Sequence, residues 1–135
     1  MNHEIPAELF WLTMTAAWTA MLWMPYAFVR IRKIGWTRVF INPLPGDDPF
    51  DIEWAHRAYR SHMNAVETLV PFAAITLAVV VAGEASVISA NAAAVFFWSK
   101  VLHAPIYILK IPVLRILSFM VGLGATIIMA FQLLP

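Results

Sequence analysis

The chain of 135 residues contains no cysteine. That excludes disulfides, thiolate nucleophiles and thiolate metal ligands together. Any thiol chemistry therefore needs a thiol supplied by another molecule. Charge is also scarce: 13% of residues are Asp, Glu, Lys or Arg, against about 25% in a soluble domain. The net charge is only +1, which gives a nucleic-acid partner no global electrostatic support. There is no Gly-rich phosphate loop and no visible Ser–His–acid arrangement. His56 and His62 fall on opposite faces of a helix, so a metal site is disfavoured. The opening Met1–Pro6 has no basic n-region, and the apolar run after it is long for a signal peptide. It is expected to be a retained membrane helix.

What fills the chain is apolar: 61% of residues are hydrophobic and the mean hydropathy is +0.75. This is the composition of an integral membrane protein, with one domain over residues 1–135 and room for four helices of about 20 apolar residues each. The expected spans are about 7–30, 52–82, 87–109 and 113–134. Pro25 and Pro71 are expected to kink the first and second. Trp11 and Tyr26 are expected near the two membrane interfaces. Between the first two spans, Asn42–Pro49 holds three prolines and a glycine in eight residues, which precludes regular helix. The other connections, Gly83–Ser86 and Lys110–Pro112, are short, so the fold class is all-α, an up-down four-helix bundle in the membrane. Small residues at Ala90, Ala92, Ala93, Ala94, Gly122 and Gly124 would allow close helix approach.

Basic residues set the expected orientation. Arg30, Arg32, Lys33, Arg38, Arg57 and Arg60 flank the first connection, and Lys110 and Arg115 flank the third. Positive charge stays inside, so these connections are expected in the cytoplasm and both termini outside. Lys100 is then the sole basic residue away from a loop edge.

The run His56–Leu69 leads from this basic edge into the second apolar span. With Arg60 at zero on a helical wheel, Glu67 falls at about −20°, Asn64 at about +40°, Met63 at about −60° and Arg57 at about +60°. His62 lies opposite, at about 200°. The polar groups thus form one stripe. Snorkelling to the interface accounts for Arg57 and in part for Arg60. It does not account for Glu67, two turns deeper, which needs a cationic or hydrogen-bonding partner. Intramembrane charges of this kind mark functional sites by default.

Two further clusters share the cytoplasmic end. On the third span Lys100, His103 and Tyr107 follow one face. Interfacial hydrogen bonding to backbone or water would also explain His103 and Tyr107, with Lys100 snorkelling to the same edge. On the fourth span Arg115 and Ser118 stand at i and i+3; alone, Arg115 would be a positive-inside anchor. Together with Arg30 these groups converge on one zone. Arginines clamp carboxylates, and Glu67 would pair with one of them or accept a ligand ammonium. The set suits a small zwitterion with excess negative charge, held beside lipid.

The segment Arg57-Ala58-Tyr59-Arg60-Ser61-His62-Met63-Asn64-Ala65-Val66-Glu67-Thr68 resembles the R-x-x-R-x-H-x-N-x-x-E signature of the MAPEG family, membrane-associated proteins in eicosanoid and glutathione metabolism. The likeness, to a bacterial-type member, extends to Arg30–Lys33 with Asn42-Pro43, to His103 and Tyr107, and to Arg115. It covers essentially the whole chain. It implies a homotrimer with glutathione as cosubstrate, bound between subunits near the cytoplasmic face. Arg30, Arg60, Asn64, Glu67, His103 and Tyr107 would hold the tripeptide, and Arg115 would favour its thiolate. Glu67 would meet the amino group and arginines the carboxylates. Arg57 would be structural, paired with Asp51 or Glu53. Two positions depart from the pattern. Met63 stands where several eicosanoid-making members carry a basic residue, and Phe119 lies near a place where some use tyrosine.

The resemblance implies a membrane-bound glutathione-dependent transferase, with or without peroxidase activity, acting on lipophilic electrophiles in detoxification. Its partners would be glutathione, a lipophilic small molecule or lipid substrate, and membrane lipid. The alternative is a non-catalytic lipid- or partner-binding protein of the same family, a reading that Met63 favours. A small transporter is a third reading, but no inverted repeat or broken-helix pair supports it.

Overall fold

The structure is a computed structural model that describes residues 5–41 and 52–134. Every regular element among them is helical: α1 (Ala7–Met21), α2 (Met24–Ile34), α3 (Trp36–Ile41), α4 (Glu53–Ala82), α5 (Val87–Ile108) and α6 (Pro112–Phe131). The Pro-rich stretch Asn42–Pro49 and Asp51 lie outside the described residues.

Three helices, α4, α5 and α6, are long and apolar enough to cross a membrane. The expected first span is instead two helices. α1 ends at Met21 and α2 begins at Met24, with Pro25 in its first turn. The Pro25 ring crowds the helical carbonyl four residues back, that of Met21, and removes its N–H donor, which weakens the helix at this point. At 15 residues and 1.5 Å each, α1 is about 22 Å long, short of the roughly 30 Å hydrocarbon layer. By contrast α4 runs through Pro71, and α5 through Pro105, without interruption.

The helix ends obey local chemistry. α4 closes on Gly83 in the left-handed conformation (φ 77°). The Glu84 amide donates to the Val79 carbonyl and the Gly83 amide to that of Val80, a pattern only glycine adopts without strain. α5 opens with a capping box between Ser86 and Ser89. The Ser89 hydroxyl also donates to the buried carboxylate of Glu8, and Ser86 Oγ donates to Gln132 Oε1 at 2.9 Å. These bonds tie α1, α5 and α6 together at the end remote from the basic connections.

The core lies between α4, α5 and α6, with α1 laid against α4 and α5. Phe72 and Phe96 stack with ring centroids 3.7 Å apart. Ala92, Ala93, Gly122 and Ala125 are buried. They let the backbones approach as small residues do inside membranes. Trp11 packs against the core. Its ring packs 5.4 Å from that of Phe97. Outward-facing Val70, Val81, Val113, Ile116 and Leu117 remain exposed, as suits contact with lipid.

Candidate functional site

The stripe on α4 forms as its spacing dictates. Arg60, Glu67 and Pro71 are exposed and Asn64 is half-buried, whereas Ala58, Ser61 and Ala65 face inward. His62 points the other way, and a hydrogen bond of 2.7 Å joins its Nδ1 to the Tyr26 hydroxyl on α2. Tyr26 also meets Tyr59 edge to face. The His62 of the signature therefore holds α2 on α4.

Beside the stripe lies a cleft of about 260 Å³ between α4, α5 and α6. Asn64, Glu67 and Thr68 supply polar groups from α4, and Thr126 one from α6. Pro71, Phe96, Phe119 and Leu123 supply the apolar walls. Asn64 Oδ1 is buried with no hydrogen-bond partner, an acceptor left for a ligand or water donor. Pro71 has no N–H, so the carbonyl of Glu67, four residues earlier, loses its helical donor at the same place.

A second group lies where α5 ends and α6 begins. The His103 and Tyr107 rings meet edge to face at 5.5 Å, and the Arg115 guanidinium stands 5.0 Å over the Tyr107 ring. His103 Nδ1 is 2.8 Å from Ser118 Oγ, which stands 3.0 Å from the Arg115 carbonyl. The Ser118 hydroxyl has one proton, shared between the Arg115 carbonyl and His103 Nδ1, and the histidine tautomer sets which of them receives it. His103 Nε2 is buried and without a partner.

Within the chain the residues expected at the site fall into groups. Asn64 and Glu67 share the cleft. His103, Tyr107 and Arg115 share the α5–α6 corner and do not line that cleft. Arg60 lies on the α4 stripe outside its walls, and Arg30 sits half-buried on α2. Arg57 bonds within the chain: its Nε donates to the Ile108 carbonyl at the end of α5 (2.8 Å), and its Nη1 to Glu53 (3.0 Å). Asp51, the other expected partner, lies outside the described residues.

Lys100 is the main surprise. It does not snorkel to the edge but is 3% exposed. Its Nζ lies 5.2 Å from the centroid of Phe96 and 5.5 Å from that of Phe119. Its place away from every loop edge was the only trace of this in the sequence. Glu8, paired with Ser89, left no comparable signal.

Described residues whose regular elements are all helical, three of them membrane-capable, with a carboxylate lining a cleft in an apolar zone, mark an integral membrane protein. The family model of the MAPEG family matches residues 9–135, nearly the whole chain, and the chain belongs to that family. No curated protein and no solved structure matches it.

Proposed function

We propose that this protein is a glutathione-dependent transferase that works as a homotrimer in the membrane. Glu67 carries the reading: an exposed carboxylate on an apolar span, set beside the unpartnered Asn64 amide oxygen in a cleft with apolar walls. A carboxylate in that position needs a cation, and a ligand ammonium supplies one. Membership of the family supports glutathione as the ligand.

In this scheme Glu67 takes the glutathione amino group, and Asn64 accepts from an amide or amine. Arg60, Arg30 and Arg115 take the carboxylates and rim charges by forked hydrogen bonds. His103 and Tyr107 complete the pocket, and Arg115 favours the thiolate at its mouth. Since the two groups do not share one cleft inside a subunit, a neighbouring copy brings its corner to this subunit's stripe. The same contact covers Arg60, Glu67 and Arg115, which one subunit leaves exposed. The first and third connections, and with them the site, face the cytoplasm, and the termini lie outside.

Bound thiol gives its proton to solvent, and the thiolate is the nucleophile. Its lone pair forms a bond to carbon of a lipophilic electrophile arriving through the bilayer. The displaced electron pair leaves with the electrophile's leaving group, or in an addition takes a proton from water. Apolar walls position that electrophile.

Calorimetric titration of the detergent-solubilised protein with glutathione is the test, beside a Glu67→Gln/Arg115→Ala variant. Saturable binding that the variant loses is expected, as is loss of conjugating activity in Arg60→Ala and Arg115→Ala. No heat at millimolar glutathione, with the protein folded, would overturn the reading in favour of a non-catalytic lipid- or partner-binding member. The apolar lining of the cleft favours that second reading.

A further inference from the structure

The segment from Met24 to Ile41 carries Arg30, Arg32, Lys33 and Arg38 and not one Asp or Glu. It forms α2 and α3, and α2 buries no side chain. Met24, Phe28 and Arg32 recur at every fourth residue and stand exposed on one face. That face is opposite Tyr26, which fastens α2 to α4. Past Gly35, where the chain turns with φ 80°, Trp36, Arg38 and Ile41 are exposed as well. Exposed aromatic rings beside basic groups, on a helix of low overall hydrophobicity, suit a position lying in a membrane interface.

The fold sets this arm at the height of that interface. Counted back from Ala82, where α4 ends, a hydrocarbon layer of roughly 30 Å takes up about 20 helical residues and ends near His62. His62 is the residue bonded to Tyr26. Arg32 follows Tyr26 by about 9 Å of helix, and the headgroup layer on each side of a bilayer is roughly 5–8 Å thick. An arginine side chain spans the difference whichever way α2 leans.

The Arg32 guanidinium lies 4.6 Å from the centroid of the Phe28 ring. A ring contact engages its charge and none of its N–H donors, which remain for phosphate oxygens. Among the described residues neither Arg32 nor Arg38 forms an ion pair.

We propose that α2 and α3 form a docking surface for the phosphate headgroups of anionic membrane lipid. Arg32 and Arg38 take the phosphates by forked hydrogen bonds, while Phe28 and Trp36 enter the border of the acyl chains. A second copy of the chain is a poorer partner for this face. At this end of the bundle the exposed carboxylates among the described residues are Glu53, paired with Arg57, and Glu67, set in the cleft. A copy would therefore bring mainly further cations. The inference stands independently of the transferase reading.

The test places the full-length protein in bilayers of phosphatidylcholine with a minor share of phosphatidylglycerol. Electron spin resonance of spin-labelled forms of each lipid compares their retention at the protein surface. Phosphatidylglycerol is expected to be preferred by at least about twofold, since each basic group near an anionic surface strengthens association by up to roughly fivefold. Added salt should shrink that preference. Arg32→Gln/Arg38→Gln is expected to remove most of it with the melting temperature unchanged, because both side chains are exposed. Lys110→Gln, which removes an exposed cation from the third connection, should change it little. No preference in the unaltered protein, a preference kept in the double variant, or an equal loss in Lys110→Gln would overturn the inference. A changed oligomeric mass in the double variant would also overturn it, by assigning the face to a subunit contact. So would loss of the preference on adding inorganic phosphate at constant ionic strength, which would make this a site for free phosphate.

Discussion

The hydroxyl of Tyr26 and the Nδ1 of His62 are joined across 2.7 Å, and this bond fastens α2 to α4. It links an aromatic residue just past the Pro25 break to the one signature residue that points away from the polar stripe. Tyr26→Phe keeps the ring against Tyr59 and removes only the hydroxyl. It should cost about 1 kcal/mol. Protease nicking near Gly35 should speed up, while the melting temperature of the remaining helices moves little. Equal cleavage rates in both proteins would refute this account of His62.

Gly122 and Gly124 lie two residues apart and should respond oppositely to alanine. At 122 the new methyl strikes Ser99 Oγ, whereas at 124 nothing lies within 4 Å. Gly122→Ala is expected to destabilise by about 1–3 kcal/mol, the usual range for overpacking. Gly124→Ala should be neutral or stabilising by up to about 1 kcal/mol, from helix propensity. Thermal unfolding in one detergent distinguishes them; the same sign for both would contradict the close α5–α6 approach.

Arg57 makes two bonds of unequal worth. The bond to the Ile108 carbonyl satisfies an orphan acceptor at the end of α5. Glu53, its other partner, is 82% exposed, and such pairs contribute at most about 1 kcal/mol. Arg57→Met should therefore lower stability by about 1.5–3 kcal/mol. Glu53→Gln should change it by less than about 0.5 kcal/mol. A Glu53→Gln effect as large as that of Arg57→Met would mean that the ion pair, not the cap, is what matters.

Much of the polar layout was legible because helical spacing alone decides which side chains share a face. Arg60, Asn64 and Glu67 line up at their sequence intervals, and His62 falls opposite them. The break in the first span was only half legible. Pro25 announced a disturbance, but whether a proline bends a helix or ends it depends on what packs around the freed backbone; α4 runs through Pro71 and α1 stops. The fate of Lys100 could not be read at all. A long side chain near a membrane edge can snorkel or turn inward, and the choice depends on space left by another helix.

The sequence by itself determined the class of molecule, the second, third and fourth apolar spans, the short turn at Gly83–Ser86 and the single polar face of α4. These follow from composition, from backbone sterics and from a fixed rise and turn per residue. Only the tertiary structure decided that Lys100 lies behind Phe96 and Phe119, that Gly122 makes room for it, and that Glu8 meets Ser89. Each depends on contacts between residues distant in the chain. Such contacts are set by how whole helices pack, and no local pattern encodes them.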